Sequence, residues 1–240
     1  MEPVFTPPGP DCPLCPRLRD FREANRLQYR NFFNSPVPPF GGLDASLLIV
    51  GLAPGLQGAN ATGRPFTGDY AGLVLYPALQ KSGFAQGDYL ATLDETGKTR
   101  SQEGLFAGSV KQQAGEFRLV GCRISNAVRC VPPENKPDPS EIKTCNSFLK
   151  QEIAAMPNLQ VILSLGLVSH NAVLKAQGFK ASHAKFAHAA QVELNGVTLL
   201  DSYHCSRYNI NTGRLSQAMF DAVVEQAKTL IRQKSPGTSF

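Results

Sequence analysis

Fully apolar runs alternate along the chain with stripes of apolar residues at helical spacing, and this alternation predicts its elements. Leu47-Leu48-Ile49-Val50 is apolar at every position, which suits a strand buried on both faces of a parallel sheet. Residues 161–165 read as another buried strand. Residues 117–130 read as one longer strand carrying Leu119, Val120, Ile124 and Val128, stopped by Val131-Pro132-Pro133. Residues 192–194 and 197–200 flank Asn195-Gly196, a dipeptide suited to a tight hairpin turn, and the last strand runs on to Asp201-Ser202-Tyr203-His204. Helical spacing follows Pro16, with Leu18, Phe21 and Leu27, and recurs over 72–83 with Leu73, Leu75 and Leu79. A third helix starts at Pro139 and runs to about 156, since proline in a first turn with an early glutamate suits a helix N-terminus. Two more cover 166–177 and 214–233.

Between these elements lie a glycine-rich loop over 51–72, a polar aperiodic excursion over 94–115 and a loop over 205–213. Strands alternating with helices predict an α/β fold, a three-layer α/β/α sandwich around a central, mostly parallel sheet. The expected organisation is a flexible arm over 1–11, a single domain over 12–234 and a flexible tail over 235–240.

Composition narrows the classes. The chain has 240 residues, 42% apolar and 18% charged, enough to build a core and the right size for one α/β domain. No apolar run is long enough to span a membrane. The N-terminal residues show no secretory pattern, so a reducing, cytoplasmic location is expected, where the six cysteines are free thiols or metal ligands. A net charge of +5 permits nucleic acid as a partner without demonstrating it.

Candidate chemistry gathers in the loops that leave the strands at their carboxyl ends, where ligands of such sheets bind. Cys12-Pro13-Leu14-Cys15 is a C-x2-C pair, and Cys130 and Cys145 bracket a proline-rich loop. Four thiolates suit zinc or a [4Fe–4S] cluster, and spacing does not separate the two. Cys122 reads as a small buried apolar residue. The segment GLAPGLQGANATGRPFTGDYAG follows a strand and precedes a helix, so its amides could cradle an anion, but it matches neither the P-loop nor the dinucleotide pattern. Within it, Phe66 is either a stacking platform for a flat ligand or a loop anchor, and Asp69 reads first as a helix cap.

These segments resemble those of family 5 (B-type) uracil-DNA glycosylases. The likeness covers residues 51–72, then SNAVRCVPPENKP over 125–137, then His204-Cys205-Ser206-Arg207-Tyr208-Asn209 with Thr212-Gly213-Arg214-Leu215, and the four-cysteine layout. It implies a bacterial or archaeal DNA-repair enzyme of nucleoid-associated function. Such an enzyme flips uracil, and other deaminated bases such as hypoxanthine or xanthine, out of DNA and hydrolyses the N-glycosidic bond. It also implies a [4Fe–4S] cluster on Cys12, Cys15, Cys130 and Cys145. Phe66 would stack on the base, and Asn126 would read it through an amide that both donates and accepts, where a strand-end backbone contact is the plainer role. His204 would donate to the leaving base, and Asp69 would activate water or stabilise the sugar cation. Gly51, Ala53, Pro54 and Gly55 would line the base site. Arg64, Ser206, Arg207, Tyr208 and Asn209 would face DNA, with Arg129 a further candidate for its backbone. His170, His183 and His188 read as structural.

Two positions depart from the family. Cys205 stands where proline is usual, and Ala61 where arginine is common. No lysine nucleophile appears in the motifs, so a monofunctional enzyme without lyase activity is expected; a monomer is expected as well. The competing readings are a non-catalytic damaged-DNA-binding module with a structural metal cluster, and redox signalling through that cluster.

Overall fold

A computed structural model of the chain describes residues 5–87, 89 and 117–234. The arm's residues 1–4, the excursion over 94–115 and the tail over 235–240 lie outside the described residues. The elements, in order, are α1 (Pro16–Gln28), β1 (Leu47–Gly51), α2 (Ala59–Thr62), α3 (Tyr70–Lys81), β2 (Ala85–Gln86), β3 (Arg118–Leu119) and β4 (Cys122–Asn126). Then follow α4 (Pro139–Ala154), β5 (Val161–Leu165), α5 (Leu167–Ala176), β6 (Gln191–Leu194), β7 (Val197–Ser202), α6 (Arg207–Asn211) and α7 (Gln217–Lys234).

Five strands form the central sheet in the order β4-β1-β5-β7-β6. All neighbours are parallel except β6, which pairs antiparallel with β7 through the Asn195-Gly196 hairpin. Both turn residues take positive φ, +51° and +87°, as such a turn requires. Side chains alternate between two buried faces. Leu47, Ile49, Val161, Leu163 and Leu200 pack with α3 and α7, through residues such as Leu75, Leu79, Phe220 and Val224. Leu48, Val50, Ile162 and Leu199 pack with α4 and α5, through Leu149, Val173 and Leu174. This is the three-layer sandwich, and it explains why a run such as Leu47 to Val50 is apolar at every position. No helix among the described residues is long and apolar enough to cross a membrane.

The chain goes from β1 to β4 on one side and from β4 to β5 on the other, so the strand order reverses around β1. Its carboxyl end is therefore the natural crevice of this sheet.

Three expectations change. The stretch read as one strand over 117–130 is two, with β3 in a small separate sheet beside β2 and β4 in the main one. Gly121, at φ +59°, turns the chain between them. The loop over 205–213 contains α6, whose N-cap Ser206 accepts a hydrogen bond from the Asn209 N–H (3.4 Å). Residues 9–11 of the expected arm are tied down. Cys12 N–H bonds Gly9 O, and the Arg26 guanidinium bonds Pro10 O (3.1 Å) and Asp11 (2.7 Å).

Candidate active site

Strands β1 and β4 end side by side, with Gly51 in register opposite Asn126. Asn126 is 3% exposed, yet among the described residues no hydrogen bond engages its amide. An amide so largely covered yet unspent in hydrogen bonding leaves both its donor and its acceptor to a ligand at this strand end. Gly51 makes this arrangement possible. A Cβ there would collide with Asn126 Oδ1 and lie 2.6 Å from Phe66 Cζ. Gly51→Ala should therefore overpack the strand end, at about 1–3 kcal/mol. A lowered denaturant midpoint together with reduced turnover would show it, and unchanged values for both would contradict the close approach.

Phe66 is buried and sits at φ +53°, a strained conformation for a bulky residue. Its neighbours enforce it. The Tyr76 hydroxyl donates to Pro65 O (2.5 Å), the Thr67 hydroxyl donates to the same oxygen (3.3 Å), and the Tyr89 hydroxyl reaches Phe66 O (3.5 Å). Burial pushes the Tyr76 phenol up, so it stays a donor. Gly72 leaves room for this knot, since a Cβ there would meet Phe66 O and lie 2.5 Å from the Tyr89 hydroxyl. Sequence reading missed Tyr76 because an aromatic in a helix stripe looks like ordinary core, and Tyr89 because it stands outside the motifs.

His204 follows β7 and stacks on Phe66, with ring centroids 6.0 Å apart and planes at 30°. No hydrogen bond among the described residues engages its ring. The residue is partly covered, and the loss of water around the ring lowers its pKa to about 4. The imidazole is neutral at pH 7 and can donate one N–H. Asn209 braces it from behind, donating from Nδ2 to His204 O (2.8 Å). Cys205 is fully buried, and its thiol lies 3.7 Å from Ala71 O in the first turn of α3. The thiol thus packs the space beside the histidine and ties this segment to the glycine-rich loop.

Asp69 is the N-cap of α3, its Oδ1 accepting from the Gly72 N–H (3.3 Å). The cap read from sequence is real. The other oxygen turns toward the loop: Cβ atoms added at Gly58 and Gly55 would lie 2.7 and 3.7 Å from Oδ2. Burial raises the carboxyl pKa, against the lowering effect of the Gly72 and Ala71 N–H groups. One carboxylate therefore caps a helix and still presents an oxygen.

The remaining candidates separate. Pro54 is buried beside Gly55, while Ala53 packs toward the cysteines with Val128 and Cys130. Arg64 is held inward, bonding Thr67 Oγ1 (2.9 Å) and lying over the rings of Phe40 (5.3 Å) and Phe117 (5.9 Å). Arg207 and Tyr208 stand exposed on α6, with the Arg207 guanidinium over Tyr70. Arg129 corrects an expectation. It is 1% exposed and ion-paired to Glu152, so it does not face DNA. Ala61 is likewise buried. Among the histidines, His170 is structural, bonding Asp201 (2.8 Å) and Ala184 O (3.0 Å).

Cys12, Cys15, Cys130 and Cys145 line one cavity between α1, the 130–139 loop and α4. Arg17 closes it by clamping α1 onto α4, with two bonds of 2.8 Å to Glu141, whose Oε2 also accepts the Asp138 N–H. Burial first, then the neighbouring thiols, raises Cys15 to about 11, and burial with Cys145 raises Cys130 to about 12. Among the described residues no three His, Cys, Asp or Glu side chains converge as holders of a single metal ion. Arg22, Arg123 and Glu152, all buried around this region, escaped sequence reading because charged residues on a helix or strand resemble a solvated face.

The family model for the uracil DNA glycosylase superfamily matches residues 38–228. A type-5 uracil-DNA glycosylase of Thermus thermophilus is 39% identical over 91% of this chain and 93% of its own length. One of Mycobacterium leprae is 37% identical over 91% of each chain, and one of Pyrobaculum aerophilum is 35% identical over 90% and 88%. Similarity of that depth along nearly the whole chain, with the strand-end motifs brought together at one crevice, means that this chain belongs to the uracil DNA glycosylase superfamily.

Proposed function

We propose that the protein is a monofunctional DNA-repair glycosylase, acting as a monomer, that flips uracil out of DNA and hydrolyses its N-glycosidic bond, leaving an abasic site. Hypoxanthine and xanthine belong to the same proposal. The observation that carries it is a pair of polar groups without hydrogen bonds among the described residues, the Asn126 amide at the end of β4 and the His204 imidazole after β7, both placed against Phe66.

The chemistry assigns each a task. Phe66 offers a flat apolar face to the extruded base. The Asn126 amide donates to O4 and accepts from N3–H of uracil. A base with an amino group at C4 presents the wrong pattern and leaves the amide unpaired. His204, neutral at pH 7, donates to O2 as negative charge develops on the leaving base. Asp69 Oδ2 faces the developing sugar cation or the attacking water. Tyr208 and Arg207 meet the duplex beside the vacated stack.

The four cysteines fit a [4Fe–4S] cluster by donor chemistry: four thiols on one cavity, with a guanidinium nitrogen of Arg22 3.8 Å from Cys130 Sγ. Bound there, it would supply a structural tie between the N-terminal segment and the 130–145 region. Uracil chemistry uses none of its electrons.

The test is base release from defined duplexes. A G·U duplex should yield free uracil and an abasic strand that breaks only after alkali. Hypoxanthine and xanthine duplexes, with single-stranded controls, set the range. Tight binding to G·U without release would favour the damage-binding module and overturn catalysis.

A further inference from the structure

Two guanidinium groups are buried against the cysteine cavity, and among the described residues neither has partners for all its nitrogens. Arg22, on α1, is 2% exposed. Its Nη1 lies 3.8 Å from Cys130 Sγ and its Nη2 donates to Cys12 O (3.2 Å), while its Nε has no hydrogen-bond partner. The nearest acid, Glu23, is 3.7 Å away and half exposed, so it neutralises little. Arg129, next to Cys130, is 1% exposed and also lines the cavity. Its Nη2 pairs with Glu152, and its Nε and Nη1 have no partner. Glu152 is shared with Arg123 (2.7 Å) and with the Ser125 hydroxyl (2.7 Å).

The charges of this region therefore do not cancel. Among the described residues the buried charges here are Arg22, Arg123 and Arg129 against Glu141 and Glu152, an excess of one positive charge, and Arg22 has only the half-exposed Glu23 beside it. Uncompensated buried charge is strongly unfavourable. A [4Fe–4S]²⁺ core held by four thiolates carries two negative charges and would supply a complement.

We infer that Arg22 and Arg129 are the counter-charge of a tetrathiolate cluster in this cavity, with Arg22 the direct hydrogen-bond donor to the Cys130 sulfur. This inference rests on the cluster reading above. It goes further by assigning what offsets the negative charge of the cluster. One-electron reduction adds a third negative charge, which the guanidiniums stabilise, and oxidation removes one, which they oppose. Charge and hydrogen bonds at the sulfurs are the terms that set such potentials. Removing Arg22 should lower the reduction potential, speed bleaching in air and lower iron retention. Lysine at this position keeps the charge but loses the planar fork that reaches both Cys130 and Cys12.

The experiment uses the full chain purified without oxygen. Wild type is assayed for iron, sulfide and absorbance near ~400 nm, and its potential is measured by film voltammetry. Arg22→Gln and Arg22→Lys are then compared, each checked for cooperative unfolding. The expected order of potential and of resistance to air is wild type, then Arg22→Lys, then Arg22→Gln. An Arg22→Gln variant that folds but retains no cluster supports the assignment, provided Arg22→Lys retains it. Equal potentials and bleaching rates in all three proteins would overturn the inference while leaving the cluster standing. Zinc alone, or no iron and sulfide, in wild type would instead remove the cluster reading on which it rests.

Discussion

Asn126→Ala is expected to lower uracil release by about 10²–10³-fold while leaving affinity for undamaged duplex essentially unchanged. The amide lies at the end of β4, 3% exposed and without a hydrogen bond among the described residues. Its two polar ends are thus available to a base, and no hydrogen bond from another described residue depends on them. That independence gives a second expectation. Truncating the amide removes no hydrogen bond made among the described residues, so the unfolding midpoint should hold. Single-turnover release, duplex binding and urea unfolding measured on the same variant separate these effects. Equal losses in release and binding would show that Asn126 supports the loop and does not read the base.

His204→Ala should lower release by a similar factor, about 10²–10³, because it removes the donor aimed at the departing base. The pH dependence tests its charge state. With a pKa lowered to about 4 by burial, the ring is neutral throughout the range where the enzyme works. Wild-type release should not fall between pH 6 and 8 on account of His204. A loss centred near 6.5, the value of an ordinary imidazole, would mean that a cation acts instead. The stability profile gives an independent sign. The unfolded chain takes up this proton at about 6.5 and the folded chain only near 4. Protons therefore favour the unfolded state between these values. The contribution is full above pH 6.5 and is lost as pH falls toward 4. The stability advantage of wild type over His204→Gln should shrink over that same window.

Strand burial was legible from sequence because period and composition carry it. A run such as Leu47 to Val50 has no polar face to offer water, and only a sheet covered on both sides accommodates it. The ends of α3 and α4 were legible through Asp69 and through Pro139 with Glu141, since capping is local chemistry. Where one apolar stretch divides between two sheets, periodicity is blind. Residues 117–130 alternate acceptably on both sides of Gly121, and the break depends on that residue's positive φ. The helix α6 was hidden for a related reason. A five-residue helix with one isoleucine is too short to show an apolar stripe, and Ser206 alone is a weak signal.

Residue types at the site were legible as well: an aromatic in a polar loop, an amide at a strand end, a histidine after the last strand. Their convergence was not. It depends on Gly51 and Asn126 sharing a register across two strands separated by seventy residues of chain, and on Phe66 being forced into positive φ by tyrosines behind it. Charge shows the same division most sharply. The chain's modest net +5 can be counted from composition, yet composition does not say which arginines meet solvent. Arg129 reads as a DNA contact and is an interior ion-pair partner of Glu152, while Arg22, inconspicuous on a polar helix, lies against a cysteine sulfur. Hydrophobic pattern, caps and motif chemistry act within a few residues, so the sequence by itself determines them. Burial of a charge, partnership of an amide and the pKa of His204 arise from atoms far apart in the chain, and only the tertiary structure decides them.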